Sequence, residues 1–317
     1  MLTPGNNDRQ TTDARRTRGS AMQPGTVGVL DVGCFSAHLV VVADQRITPV
    51  YERKVRLRLD KSYDAGALRP DGVEAIAGAV AALTKKARGL RIDRFVPFAT
   101  SSVRDAVNGD EVIRQVARRT GVTLSTFTGR QEARLAYLAA RRWFGWARGP
   151  LTVLDVGGGT VELAAGDADL ASVAESLPYG ARTLTALGLA NHVDQVAALI
   201  RDALDEDDLV ALRGGLGVGC SKVFGGLARM VGSRTVDLAD LDRWIPRLAR
   251  LSATRRAKVP GISRHRARQS LAGAVAARAL MAVTGHPVVE ISPWSTKEGL
   301  LLALMEQRSA AVLTEAA

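Results

Sequence analysis

The pattern of apolar and polar positions predicts strands followed by helices along the first part of the chain. From Gly25 onward, VGVLDVG and HLVVVAD have the character of apolar strands, and VYERKVRLRL follows as a charged third strand. Residues 72–89, GVEAIAGAVAALTKKARG, carry apolar residues at helical spacing and end on basic residues and a glycine. Such alternation favours an α/β fold in which helices cover a sheet.

The same alternation continues to the end of the chain. RFVPFATSSVRDA predicts a short strand, a polar turn and a helix, and DEVIRQVARRTG predicts a helix with a glycine stop. The strand VTLSTFTG and the helix QEARLAYLAARRWFGW, which ends around Gly145, complete the first half. PLTVLDVGG opens a second half, and KEGLLLALME is the closing helix.

An internal repeat connects the two halves. Residues 30–39 align without a gap on residues 154–163, and both share the frame L-D-V-G-x-x-[ST]-x-x-L. Duplicated hairpins with a strand-end Asp and a glycine turn describe an α/β protein of two actin-like (ribonuclease H-like) domains, which face each other across a phosphate-binding cleft. We expect a disordered tail over 1–24, a first domain over 25–138 that the C-terminal helix 299–317 completes, and a second domain over 139–298.

Composition restricts the class of protein. Hydrophobic residues make up 46% of the 317 residues and charged residues 24%, values of an ordinary globular protein, and no apolar run is long enough to span a bilayer. Two cysteines and four scattered histidines exclude a disulfide framework and a cysteine-rich zinc site. A cytoplasmic protein without membrane partners is therefore expected.

The net charge of +11 favours an anionic partner. Residues 1–24 hold four Arg and two Asp, so most of the excess belongs to the remaining chain. Aromatic residues are only 4% of the chain, which argues against single-stranded nucleic acid, and no specific nucleic-acid partner is expected. Five basic residues lie along the third strand and the turn after it: Arg53, Lys54, Arg56, Arg58 and Lys61. They form either a surface that binds a polyanion or a solvated strand edge.

Six blocks in order resemble the exopolyphosphatase/guanosine pentaphosphate phosphohydrolase (Ppx/GppA) family of the actin-like superfamily. They are DVGCFSAHLVV, FATSSVRDAVNGDEV, FTGRQEARLAYLAA, LDVGGGTVELAAG, GVGCSKVFGGLARMVG and SPWSTKEGLLLAL. The resemblance covers nearly the whole chain after Met22 and implies hydrolysis of a terminal phosphate. The implied substrate is linear inorganic polyphosphate, with short chains included and guanosine pentaphosphate (pppGpp) as the second option. The resemblance also leaves a homodimer open.

The resemblance also indicates a site. Glu132 is expected to be the general base that activates water, and Arg104 to stabilise the transferred phosphoryl group. Glycine turns let backbone N–H groups converge on an anion, and Thr100 and Ser101 are further hydroxyl candidates. The expected phosphate loops are Gly33, Cys34, Phe35 and Ser36 in the first half, and Gly157, Gly158, Gly159 and Thr160 in the second.

Three acids follow the same strands and are expected to hold Mg²⁺. Asp155 and its counterpart Asp31 end strands, and Glu162 follows the second turn. Mg²⁺ prefers hard oxygen ligands and keeps much of its hydration, so strand-end carboxylates suit it. The alternative is that these strand-end acids only help to form the turns and bind no metal.

The chain departs from the family pattern at two places. Cys34 and Phe35 replace a small polar pair, and Gln131 replaces the first acid of a Glu-Glu pair, while Ser36 keeps a hydroxyl and His38 lies near an often basic position. Backbone donors do not depend on side chains, so loss of a polar group weakens binding by about 1 kcal/mol. The alternative to an enzyme is a catalytically weak paralogue that binds polyphosphate or an alarmone as a regulator, and an actin-like kinase fits the blocks poorly.

Overall fold

A computed structural model of the chain describes residues 25–44, 46–307 and 312. The tail predicted over 1–24 lies outside the described residues, as does most of the chain after 307. Among the described helices, none is both long enough and apolar enough to cross a bilayer.

The first half is built on a five-stranded sheet. In chain order its strands are β1 (Val27–Val32), β2 (Ser36–Val42), β3 (Tyr51–Arg56), β4 (Tyr63–Asp64), β5 (Ala67–Leu68), β6 (Arg94–Ala99) and β7 (Ser125–Thr126). The sheet has the order β3-β2-β1-β6-β7, and β4 and β5 form a separate hairpin. Strands β1, β2 and β3 are antiparallel neighbours, and β6 lies parallel to β1. The helices are α1 (Pro70–Ala87), α2 (Ser101–Arg104), α3 (Gly109–Thr120) and α4 (Gly129–Phe144).

The second half repeats this topology in a six-stranded sheet. Its strands are β8 (Leu151–Val156), β9 (Val161–Gly166), β10 (Val173–Leu177), β11 (Leu216–Gly219), β12 (Thr235–Asp237) and β13 (Val288–Ile291), in the order β10-β9-β8-β11-β13-β12. Three antiparallel strands are again followed by a parallel neighbour of the first. The helices are α5 (Ala181–Ala186), α6 (Val193–Asp202), α7 (Glu206–Leu212), α8 (Ser221–Val231), α9 (Leu238–Ala249), α10 (Ala253–Arg256), α11 (Ser270–Val283) and α12 (Thr296–Met305).

Helix α4 packs between the two sheets. Leu135 and Leu138 belong to a core with β1, β2 and α12, while Ala136 and Tyr137 belong to another core with β8 and β9. Helix α12 approaches α4 very closely at Gly299, where a Cβ would lie 1.9 Å from the carbonyl oxygen of Leu135. The boundary expected after residue 138 falls inside α4, and the division of the chain there stays a prediction.

Two predicted strands are shorter than expected. Only Ser125–Thr126 of the segment 122–129 pairs as a strand, because Thr128 already caps α4. The charged third strand ends at Arg56, after which Leu57 and Leu59 donate backbone hydrogen bonds to the first glycine turn. The charged segment is therefore anchored against the site.

Candidate active site

The two predicted phosphate loops have the same geometry. The N–H of Gly33 donates to the carbonyl of Ser36 at 3.0 Å, and that of Gly157 donates to the carbonyl of Thr160 at 2.9 Å. Each loop joins the first two strands of its sheet. The sequence repeat is thus a structural repeat at the level of individual hydrogen bonds.

Both loops direct their carbonyls into the protein and keep their middle N–H groups available. The carbonyls of Cys34 and Phe35 accept from Leu59 and Leu57, and those of Gly158 and Gly159 accept from the start of α5. The N–H groups of these four loop residues donate to no acceptor among the described residues. An anion site requires convergent free N–H groups. The first loop still offers them, although Cys34 and Phe35 replace the small polar pair.

The second loop needs glycine for steric reasons. A Cβ on Gly157 would lie 2.9 Å from the carbonyl oxygen of Thr160. Gly180 at the start of α5 lies so close that its Cβ would be 2.5 Å from the backbone nitrogen of Thr160. The helix therefore supports the loop through backbone contact, and larger residues would displace it.

Asp31 lies in a row of three polar side chains across the first sheet. It pairs across strands with His38, which pairs with Lys54, and all three line the interdomain cleft. Burial raises the pKa of Asp31 to about 6 and lowers that of His38 to about 4. One oxygen of Asp31, Oδ1, is buried without a hydrogen-bond partner in the described part of the chain. A buried orphan acceptor of this kind suits a ligand or a hydrated cation.

Asp155 and Glu162 face each other across the corresponding strands of the second sheet. Ser295 donates its hydroxyl to Asp155 at 2.6 Å, and Ser176 donates to Glu162 at 3.1 Å. Burial, followed by the nearby Asp155 carboxylate, raises the pKa of Glu162 to about 8. Both acids are more than nine-tenths buried, so neither belongs to an exposed turn, and Asp155 lines the cleft.

Glu132 lies in the first turn of α4 and is buried against Arg104. The Arg104 guanidinium donates to Glu132, to the Phe127 carbonyl at 2.8 Å and in bidentate fashion to Asp105. Burial raises the pKa of Glu132 well above its ordinary value, the neighbouring Glu162 adds to this, and Arg104 opposes it. The structure thus brings together the two residues predicted as base and phosphoryl-stabilising cation.

Gln131 has a structural task in this chain. Its side chain accepts from the backbone N–H of Thr128 at 2.8 Å, and the Thr128 hydroxyl accepts from the Gln131 N–H at 3.2 Å. This reciprocal capping box is made equally well by Glu or Gln. The departure at position 131 therefore leaves the start of α4 intact and Glu132 in place.

The cleft between the halves holds about 1240 Å³ and is basic. Sequence reasoning identified Lys54 but missed Lys222, Lys297 and Arg266, which also line the cleft. Burial lowers the pKa of Lys54 and Lys222. Lys222 and Lys297 lie near the starts of α8 and α12, in two of the six blocks that resemble the family. Thr100 and Ser101 line the same cleft as predicted candidates for hydroxyl donors.

Phe35 links the first loop to the other half of the molecule. Its ring lies 5.2 Å from the ring of His265 and 5.2 Å from the Arg266 guanidinium carbon. Burial raises the pKa of the neighbouring Cys34, which favours its neutral thiol form. Within the described residues, no group of three or more His, Cys, Asp or Glu side chains forms a ready-made metal cage.

Solved structures share this fold. A Ppx/GppA family member from Aquifex aeolicus superposes with a TM-score of 0.74 at 21% identity, covering 90% of this chain and 98% of that one. An exopolyphosphatase from Cytophaga hutchinsonii gives 0.75 at 18% identity, covering 89% and 98%. The expected α/β fold of two halves, each a sheet covered by helices, is confirmed.

Sequence comparison identifies the family. Exopolyphosphatase 1 of Mycobacterium tuberculosis is 36% identical over 306 residues, covering 89% of each chain. The model of the Ppx/GppA phosphatase family matches residues 39–308. The resemblance seen in the six sequence blocks is thereby confirmed, and the chain belongs to the Ppx/GppA phosphatase family.

Proposed function

We propose that this protein is an exopolyphosphatase, which hydrolyses the terminal phosphoanhydride bond of linear inorganic polyphosphate. The observation that carries the proposal is the Glu132–Arg104 pair, in which Glu132 is buried and Arg104 lines a cavity together with Gly159 and Thr160 of the second loop. Helix α2 carries Arg104, and its Ser101 hydroxyl lies 3.2 Å from where a Gly159 Cβ would stand. Similarity to the M. tuberculosis exopolyphosphatase supports the same activity here.

The cations of the cleft favour a repeating polyanion. Lys54, Lys222, Lys297 and Arg266 come from four separate segments of both halves and line one cleft. Phosphates along a chain can contact several of them at once, and the terminal phosphate meets the two loops. Burial lowers the pKa of Lys54 and Lys222, and a bound anion would favour their charged forms.

Hydrolysis requires a positioned water and stabilisation of charge on the transferred group. The water oxygen attacks the terminal phosphorus, the bridging P–O bond breaks, and the shortened chain leaves with the bridging oxygen. Glu132 accepts the proton of the attacking water, and its raised pKa makes it a better base near neutral pH than an ordinary carboxylate. Arg104 stabilises the equatorial oxygens while holding Glu132 in place.

The buried acids fit a magnesium ion. Asp31 offers an unpartnered oxygen, and Asp155 and Glu162 are the other carboxylates that would hold the ion or its waters. Mg²⁺ usually uses one or two carboxylates together with waters and substrate phosphates, so a closed cage of three ligands is unnecessary. When bound, the ion would neutralise phosphate oxygens.

Two alternative functions can be tested in the same experiment: hydrolysis of pppGpp, and binding without hydrolysis. The nucleotide pppGpp ends in the same phosphoanhydride, and a weak paralogue would bind polyphosphate or an alarmone without turnover. Gln131 lacks the acid of the family pattern and caps α4. A cytoplasmic location and a homodimer are further parts of the proposal.

The test is phosphate release from polyphosphates of defined short and long chain length and from pppGpp, with Mg²⁺ and then with EDTA. We expect release from polyphosphate that EDTA abolishes. Faster release from pppGpp would assign the nucleotide as substrate. Tight polyphosphate binding without release would favour the regulator.

A further inference from the structure

A second cavity of about 600 Å³ lies beside the catalytic pair. We call it the side cavity. Its lining includes Arg104, Arg130, Arg182, Thr160, Ser176 and Thr183. It combines three guanidinium groups with three hydroxyls, and the reaction described above uses only Arg104 and Thr160 of these.

The side cavity and the cleft meet at one glycine. Gly159 lines both, and a Cβ there would lie 3.2 Å from the Ser101 hydroxyl, on the cleft side, and 3.2 Å from the Arg182 guanidinium, on the other. Gly159 and the Ser101 and Arg182 side chains therefore form the partition between the two cavities at this point. A larger residue at position 159 would block passage between the two cavities.

The lining charge of the side cavity suits a small anion. Asp105 is the carboxylate in its lining, and it is occupied by the bidentate contact from Arg104. Arg104 pairs with Asp105 and Glu132, and Arg130 pairs with Glu175, so among the described residues Arg182 is the lining arginine without a carboxylate partner. Guanidinium groups bind phosphate with two hydrogen bonds. Arg182 is held at the partition by Tyr63, whose ring centroid lies 4.5 Å away and whose hydroxyl accepts from it at 2.9 Å.

We propose that the side cavity is the exit site for orthophosphate, an inference that rests on the proposed function. A polyphosphate chain in the cleft blocks the route by which its own terminal phosphate entered. The released phosphate remains in contact with Arg104, which lines the side cavity, and passes Gly159 as Arg182 moves. The shortened chain then stays in the cleft while the product leaves on the other side.

The test is inhibition of polyphosphate hydrolysis by added sodium orthophosphate. Phosphate in the side cavity and a chain in the cleft bind together, so we expect mixed inhibition in the wild type. Arg130→Glu should raise the inhibition constant for phosphate at least about fivefold, and Arg130→Gln should do so more weakly. Arg118→Glu is the matched control, because Arg118 and Arg130 are both exposed helix arginines paired with a glutamate, at 2.8 and 3.0 Å.

The outcomes separate the two proposals. Hydrolysis without added phosphate tests the proposed function, whatever the inhibition pattern. Hydrolysis with purely competitive inhibition, equal in Arg130→Glu and wild type, overturns the exit site alone. If no polyphosphate is hydrolysed, calorimetric titration of sodium orthophosphate decides: weaker binding to Arg130→Glu supports the anion site, and equal binding overturns it.

Discussion

The Arg104 guanidinium donates directly to the buried Glu132 carboxylate and so joins helix α2 to the first turn of α4. The residues are 28 positions apart in the sequence. Their contact places the proposed base and the proposed phosphoryl-stabilising cation in one hydrogen-bonded unit. Removing either partner therefore affects both stability and chemistry.

Arg104→Ala should destabilise the protein because it leaves Glu132 buried without its cation. The expected loss in the free energy of unfolding is about 2–3 kcal/mol at pH 8, less than for a fixed charge, since Glu132 can take up a proton instead. Urea denaturation measures it. Arg104→Ala made in a Glu132→Gln background should cost clearly less, and an equal loss in both backgrounds would contradict the pairing.

Asp31 makes stability depend on pH. Its folded pKa, about 6 against an ordinary 3.8, means that the native state holds the proton more tightly than the unfolded state. Its contribution to stability is therefore full below about pH 4 and declines as pH rises through about 6, by roughly 3 kcal/mol. Asp31→Asn lacks this loss, so in metal-free buffer its Tm should exceed that of the wild type increasingly from pH 4 to pH 7.

Asp64→Asn, at an exposed carboxylate of the β4–β5 hairpin, is the control for that series. Its Tm should follow the wild type at every pH. A constant difference between Asp31→Asn and wild type across the range would show that Asp31 is not held in its protonated form.

Phe35 should affect substrate affinity more than the chemical step. Phe35→Leu removes the aromatic face against Arg266 and His265, a contact worth about 0.5–2 kcal/mol. We expect KM for polyphosphate to rise about two- to tenfold with kcat within twofold. Cys34→Ser in the same loop is the control and should change neither, since that residue offers its backbone N–H; a fall in kcat alone for Phe35→Leu would count against this role.

Gly299 should be intolerant of any side chain. A Cβ there would lie 1.9 Å from the carbonyl oxygen of Leu135, so Gly299→Ala forces α12 away from α4 at a cost of about 3 kcal/mol. Gly78→Ala is the matched control, since that helical glycine has open space and the change should stabilise by about 0.5–1 kcal/mol. Thermal denaturation compares them, and similar Tm values for the two variants would refute the close approach.

The sequence predicted the parts of the site that are local. The repeat L-D-V-G-x-x-[ST]-x-x-L identified both glycine turns, because a strand-end Asp and a glycine turn are set within a few residues. Glu132 and Arg104 came from resemblance to the family, and their contact could not be read from spacing. The shortened strand at Ser125–Thr126 shows how the cap of the next helix can override strand propensity.

The rest of the site depends on the assembly of both halves. Lys222 and Lys297 reach the cleft from the starts of α8 and α12, and no pattern near them shows that they face Asp31. Phe35 meets Arg266 across more than two hundred residues of chain. Long-range contacts of this kind depend on how the two halves pack together and not on local periodicity.

The central claim is that Glu132 activates the attacking water, and single-turnover phosphate release tests it most directly. Wild type and Glu132→Gln are compared with Mg²⁺ and polyphosphate of one length, with enzyme in excess, and chain binding is measured alongside. We predict a rate about 10²–10⁴-fold lower in Glu132→Gln, with the Kd for the chain changed less than about threefold. Wild-type release by Glu132→Gln, or a rate loss matched by an equal loss of binding, would contradict the account.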